Sequence, residues 1–349
     1  MQLQKLVVSA IVALSVTACA TTEGVVETSP PALVAPAPIT VSGAPSVTQG
    51  IEHYMDQRAR VESVGFRLRR AAKPECEKQG RTKPDLGIIV WSLGNFPNTQ
   101  DQAHLRSAFG LGNRVTVALA VEGGPAKRAG LSNGDVITGM NGRPTSEGPG
   151  ATERFIGASN LAAREGTVTL QLSDGRSLSI TPDAVCDDPS LLVRSPDINA
   201  AADGASIAIT TGLFDLTKSD DELALILGHE LAHNTLGHLN ADGQPASRVG
   251  KLMDAMLKTA MLQQAVAFSP AKEKEADYVG LYFMARAGFD VSAAESMWTR
   301  LNRLSNGATL AKTHPSGPER LAALKQAIVE IRSKQKAGAP LVPNLTPHQ

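Results

Sequence analysis

The hydrophobic pattern divides the chain into stretches of different period. Residues 6–16 form a largely apolar run behind Lys5. Residues 51–70 are charged, with Ile51, Tyr54, Met55, Val61, Val64 and Leu68 placed for one side of a helix. Between 84 and 182 the period shortens. Residues 86–91 and 115–121 are strand-like runs. Val168, Leu170 and Leu172 alternate with polar positions, and Leu178 and Ile180 resume the alternation after the hairpin turn Asp174-Gly175. From 187 onward the pattern is helical. Ser219 followed by Glu222 reads as a capping box, opening a helix whose buried side is Leu223, Leu225, Ile226, Leu227 and Leu231. Ser269-Pro270 opens a second helix that ends before Gly288, and further helices are predicted over 293–304 and 319–333. The predicted class is α+β: a small β-rich domain preceding a mainly helical domain with a short sheet.

The ends read differently. The apolar run at 6–16 is too short to span a bilayer, which takes about 20 residues, and with Lys5 it reads as an export signal over 1–18. Val16-Thr17-Ala18-Cys19 resembles a bacterial lipobox, which makes Cys19 a lipid-attachment site; a plain secretory signal with an incidental cysteine is the alternative. By analogy with bacterial lipoproteins, Ala20 after that cysteine points to the outer membrane of a Gram-negative cell, with the chain facing the periplasm. Residues 19–50, rich in Pro, Ala, Thr and Ser, read as a flexible tether, 51–83 as an N-terminal helical segment, and 337–349 as a loose tail. Residues 245–270 hold a methionine-rich stretch whose Lys251, Asp254 and Lys258 argue against a membrane span; it reads as a helix near the site. Cys76 and Cys186 are an even pair, predicted as a disulfide in an oxidising compartment, with two buried thiols as the alternative.

Composition narrows the function. At 349 residues, 42% hydrophobic and 19% charged, the chain is an ordinary globular protein with room for about two domains. Its 34 Lys and Arg balance 34 Asp and Glu, so there is no basic field to attract nucleic acid.

The candidate chemistry centres on His229-Glu230-Leu231-Ala232-His233. On a helix, residues four apart share a face, so both imidazoles reach one metal ion. Zinc suits imidazole and carboxylate donors, and three protein ligands leave a fourth position for water. Glu230 is placed as the general base that takes a proton from that water and passes it to the leaving amine. In the second helix Glu273 and Asp277 share a face. Glu273 is expected as the third metal ligand and Asp277 as the group behind a ligand histidine, while Glu275 points roughly opposite, into solvent.

Two resemblances extend this reading. Gly123-Gly124-Pro125-Ala126, Ala129-Gly130-Leu131, Asn133-Gly134-Asp135-Val136-Ile137 and Asn141-Gly142 together resemble a PDZ domain over 84–182. The resemblance implies capture of peptide termini by strand addition, with Gly110-Leu111-Gly112 a short candidate carboxylate loop; a purely bracing role is the alternative. Asn199-Ala200, Asp203-Gly204, the strand Ile207-Ala208-Ile209-Thr210, Thr211-Gly212-Leu213, the HExxH string, Gly237-His238, Glu273 to Asp277 and Thr313-His314-Pro315 with Arg320 resemble metallopeptidase family 48, which includes HtpX, CAAX prenyl, Oma-type and BepA-like members. The match runs over about 187–327, within a metalloprotease domain expected over 187–336. It implies a gluzincin fold, one zinc per chain at His229, His233 and Glu273, and a sheet edge at Ile207, Ala208, Ile209 and Thr210 that aligns substrate. It also implies a catalytic role for His314 in water access or oxyanion support. No stretch after residue 18 reads as a membrane helix, which favours the periplasmic branch over the prenyl-protease branch. The expected function is zinc-dependent endoproteolysis of unfolded or misassembled envelope polypeptides. An envelope-protein assembly factor or chaperone with a gated zinc site is the alternative.

Overall fold

The computed structural model describes residues 47–96, 98–238, 268–304, 314 and 318–344. The signal, Cys19, most of the tether and the methionine-rich stretch up to 267 lie outside these residues.

The long first helix, α1 (Val47–Ala71), buries Tyr54, Val61, Val64 and Leu68 in the same core as the C-terminal helices. It is therefore part of the helical domain, not a separate leading segment. A short α2 (Lys73–Glu77) and β1 (Thr82–Asp85) then carry the chain out of that core. Next come β2 (Ile88–Trp91), α3 (Thr99–Phe109), β3 (Val115–Ala120), β4 (Val136–Met140), β5 (Arg143–Pro144), α4 (Ala151–Glu165), β6 (Val168–Leu172) and β7 (Ser177–Ile180). The chain returns through β8 (Asp183–Cys186), which pairs antiparallel with β1 from Thr82↔Cys186 to Asp85↔Asp183. Cys76 and Cys186 are joined at this neck, with their Cα atoms 5.5 Å apart. Arg69 binds Asp85 at 3.0 Å and Arg128 binds Asp183 at 2.8 Å, bracing the same place. The β-rich unit thus sits as an insertion between two parts of the helical domain.

Within that unit the strand order is β2-β3-β4-β6-β7, with β5 paired to β4. The alternation read from sequence is the observed one: Val168, Leu170 and Leu172 are buried and Thr169 and Gln171 are not. Their partners in the core are Val115, Val117, Ile137 and Ile180, covered by Phe155 and Ala162 of α4. Gly110-Leu111-Gly112 serves packing here. Gly110, at φ +61°, ends α3 in the left-handed region, and Leu111 is buried against Ile51, Leu93, Phe96 and Leu105.

A second sheet follows, built from β9 (Ser190–Val193), β10 (Ala200–Ala202) and β11 (Ile207–Thr210). Its order is β10-β11-β9, and this corrects one expectation. Ile207, Ala208, Ile209 and Thr210 form the central strand, antiparallel to β10 and parallel to β9, and all four are buried. The reason is the turn at 203–206: Asp203 Oδ1 accepts from the Ala205 and Ser206 amides at 2.9 and 2.6 Å and folds β10 back along β11. Among the described residues the edges of this sheet are β9 and β10.

The helical core is completed by α5 (Asp220–Thr235), α6 (Pro270–Arg286), α7 (Ala293–Leu304) and α8 (Pro318–Lys336). Ser219 caps α5 as expected, accepting from the Glu222 amide at 3.2 Å. The Glu222 carboxylate, however, reaches the Lys218 amide at 2.7 Å, and it also binds Arg300 of α7. All residues of α5 from Glu222 to Thr235 are buried, not one side only. The end of α5 is pinned to the sheet by Asn234, which accepts from the Gly204 amide at 2.7 Å and donates to Asp188 at 2.9 Å. The predicted loose tail is tied down over its described part: the Asn344 amide donates to Tyr278 at 2.9 Å and its side chain to Glu330 at 2.7 Å. Among the described residues no helix is long and apolar enough to cross a membrane.

Candidate metal centre

The site exists because α5 and α6 approach at two glycines. A Cβ on Gly228 would lie 3.1 Å from the Gly280 carbonyl oxygen, and one on Gly280 would lie 3.0 Å from Gly228 backbone atoms. Gly228 directly precedes His229, so this contact sets how near the α5 histidines come to the α6 carboxylates. Backbone cannot move aside as a side-chain end can, so Gly280→Val is expected to cost about 1–3 kcal/mol of stability by overpacking and to lower metal content. Urea unfolding and metal analysis check this; unchanged values in both would overturn it.

His229 and His233 stand one turn apart with their Nε2 atoms 3.0 Å from each other. Glu273 Oε1 is 3.4 Å from His233 Nε2, and Oε2 is 3.5 Å from His229 Nε2. Ligand atoms at 2.0–2.1 Å from a tetrahedral zinc are separated by about 3.3 Å, so this spacing fits such an ion. His314 Nδ1 joins the group, 3.2 Å from His229 Nε2 and 3.1 Å from Glu273 Oε1. Each of the four residues offers one ligand atom, all within 4.8 Å of one another. The imidazole and carboxylate donor set is one that zinc accepts.

Glu230 lies beside this group and is 1% exposed. Its Oε1 is 3.5 Å from His314 Nε2, and its Oε2 has no hydrogen-bond partner among the described residues. Burial pushes the Glu230 carboxyl up, with His314 and His229 pulling against it. Burial also holds His233 neutral, down to about 3. Glu273 and Asp277 go the other way. Burial opposes their charge, but the polar groups beside them, His233 and His314 at Glu273 and His229 and Arg320 at Asp277, hold both carboxyls below the usual range. A neutral imidazole at His233 and an anionic carboxylate at Glu273 are protonation states that metal ligation needs.

A second layer orients the first. Asp277 Oδ1 is 2.9 Å from His229 Nδ1. Arg320 donates to both Asp277 oxygens at 2.8 Å and contacts Glu273 Oε2 at 2.6 Å, with its guanidinium over the Trp298 ring at 4.3 Å. Phe268 stacks on His233 at 3.8 Å between ring centroids. His238 Nδ1 is 2.9 Å from His233 Nδ1, and its Nε2 is 3.2 Å from Glu275 Oε2. Glu275, expected in solvent, therefore faces His238 with its side chain 21% exposed. Helical spacing alone placed it opposite Glu273; it did not reveal that Gly237, at φ +67°, turns the chain after α5 and returns His238 to that face. Arg320 carried a sequence signal only as part of the His-Pro…Arg string.

Residues 186–328 match peptidase family M48, and residues 97–150 match a PDZ domain. The chain carries an M48 peptidase domain and a PDZ domain. It is 28% identical over 165 residues to the mitochondrial metalloendopeptidase OMA1 of Schizosaccharomyces pombe, covering 42% of this chain and 48% of that protein. The OMA1 of Arabidopsis thaliana is 33% identical over 152 residues, 40% of this chain and 31% of that one. A beta-barrel assembly-enhancing protease of Yersinia pestis is 30% identical over 156 residues, 37% of this chain and 32% of that one. The chain thus spans less than half the length of each of these relatives. The M48 match contains the whole four-residue group, from His229 to His314.

Proposed function

We propose that this protein is a zinc-dependent endopeptidase acting on unfolded or misassembled polypeptides of the bacterial envelope. The observation that carries the reading is the convergence of His229, His233 and Glu273 at tetrahedral spacing beside a buried carboxylate, Glu230, with an unpartnered oxygen. In this reading the first three hold zinc, and zinc supplies Lewis acidity for hydrolysis at neutral pH. Glu230 takes the proton of the attacking water and delivers it to the leaving amine. Asp277 keeps the hydrogen of His229 on Nδ1, which leaves Nε2 free to ligate. A cation in the group also favours the ionised form of Glu230, against the effect of its burial.

Two features of the wider chain support the envelope setting. Residues 1–19 have the form of a lipoprotein signal, with Cys19 as the acylation site, and relatives include beta-barrel assembly-enhancing proteases. The PDZ unit offers β2 as the last strand of its sheet, an edge for an extended peptide end. A second reading, a gated enzyme with an assembly or chaperone role, is favoured by one observation. His314 Nδ1 stands within the ligand group, and a fourth protein ligand closes the position that catalysis needs open.

The test is metal analysis and casein cleavage on the chain from residue 20, beside Glu273→Ala. One zinc per chain and cleavage in the wild type, both lost in Glu273→Ala, is the expected result. A wild type without bound metal overturns the reading. Bound zinc without cleavage moves the weight to the gated form, and His314→Ala then restores activity.

A further inference from the structure

We propose that His238 and Glu275 are positioning residues for His233, forming a hydrogen-bonded relay from the Glu275 carboxylate through the His238 imidazole to His233 Nδ1. This rests on the reading of His233 as a zinc ligand and extends it. His233 Nε2 faces the ligand group, 3.0 Å from His229 Nε2 and 3.4 Å from Glu273 Oε1. Its other nitrogen, Nδ1, lies 2.9 Å from His238 Nδ1. Of two neutral ring nitrogens in hydrogen-bond contact, one carries the hydrogen and the other accepts.

Both ends of the chain of contacts select the same direction. A neutral histidine that ligates through Nε2 has its hydrogen on Nδ1, so His233 donates and His238 Nδ1 accepts. His238 then carries its hydrogen on Nε2 and donates it to the carboxylate oxygen Glu275 Oε2, 3.2 Å away. The reverse direction fails twice. It puts a hydrogen on His233 Nε2, aimed into the ligand group, and it sets a lone pair of His238 against the lone pairs of Glu275.

The surroundings hold His238 in place from three sides. Its amide donates to the His233 carbonyl at 3.1 Å. Its own carbonyl accepts from Lys272 Nζ at 2.8 Å. Phe268, stacked on His233, closes the remaining side with its ring centroid 6.1 Å from that of His238. The two ligand histidines are thus oriented in different ways: His229 directly by Asp277, His233 through an intervening imidazole by Glu275. The intervening ring carries the carboxylate's polarisation to the ligand while keeping its full charge a residue away from the site.

The test is zinc affinity, measured by competition with a chelator, and the visible absorption spectrum of the cobalt-substituted protein, in wild type, His238→Ala, Glu275→Ala, Glu275→Gln and the double alanine variant. Loss of such a partner weakens metal binding by about 10–100-fold, and that is expected for His238→Ala, with a shifted cobalt spectrum. Glu275→Ala is expected to weaken binding as well, and Glu275→Gln, which keeps an acceptor without the charge, to weaken it less. Because both residues act through one contact, the double variant should bind no more than about twofold worse than His238→Ala. Melting of the metal-free proteins, which a relay leaves nearly unchanged, separates this role from a structural one. Zinc affinity and cobalt spectrum unchanged in His238→Ala and both Glu275 variants, or fully additive losses, overturn the relay. If His238→Ala does not fold, the two Glu275 variants decide alone. A wild type that takes up no zinc overturns the zinc reading and the relay with it, whereas a zinc-binding wild type with indifferent variants overturns the relay only.

Discussion

Glu230→Gln is expected to lower the casein cleavage rate by about 10²–10⁴-fold, the range a general base contributes, while zinc stays bound. Glutamine matches glutamate in shape and keeps an oxygen in place, but it cannot accept the proton of an attacking water at neutral pH. The ligand atoms of His229, His233 and Glu273 do not include Glu230, so metal content should not change. Stability supplies an independent check. Glu230 is 1% exposed and one of its oxygens has no hydrogen-bond partner among the described residues, an arrangement that costs free energy while the group is ionised. Glutamine removes that charge, so the variant should unfold at the same urea concentration as the wild type or a higher one. An inactive variant that is also less stable, or that has lost zinc, would mean that Glu230 supports the structure of the site. A variant that still cleaves casein within a few fold of the wild-type rate would remove Glu230 from the chemistry.

Much of this centre was legible in the chain because its parts sit on helices, where sequence spacing becomes spatial placement. His229 and His233 are four apart and share a face, as do Glu273 and Asp277, and the caps at Ser219 and Ser269 announced where both helices begin. Strand alternation was equally readable in β6, where one face is covered by α4 and the other is not. What could not be read depends on how elements meet. The central position of β11 is set by a turn at Asp203 that folds β10 against it, and a fully buried run such as 207–210 carries no mark of having one neighbour or two. Glu275 looked solvated because nothing local shows His238 returning past Gly237. The role of α1 was hidden for a related reason: its apolar residues predicted a buried face, but only the structure shows that the covering helices lie beyond the β-rich insertion. The Gly228–Gly280 contact is legible only once both helices are in place.

Arg320 is the residue whose loss should cost the fold most. It is 3% exposed and is shared between two buried carboxylates, donating to Asp277 through Nε and Nη2 at 2.8 Å and meeting Glu273 through Nη1 at 2.6 Å. Removing one partner of such a buried pair leaves an uncompensated charge and costs about 3–5 kcal/mol. Arg320→Met, which keeps much of the side-chain volume over Trp298, is therefore expected to destabilise the metal-free protein by an amount in that range. Zinc at His229, His233 and Glu273 replaces part of the lost positive charge, so the deficit should shrink when zinc is added. Arg320→Lys should recover less than half of it, since an ammonium restores the charge but not the planar fork that spans both carboxylates. The pH dependence has a definite sign. In the wild type both carboxyls lie below their usual range, so their contribution is fully present above the unfolded values of about 4. Without Arg320, Asp277 keeps only His229 against its burial, so its carboxyl rises and the cost of its charge at pH 7 is relieved as it takes up a proton, while Glu273 keeps His233 and His314. The gap between wild type and Arg320→Met should accordingly narrow from pH 7 to pH 5 in urea unfolding with a chelator present. A gap that stays constant or widens over that interval would show that Arg320 contributes packing against Trp298 and not charge to the two carboxylates.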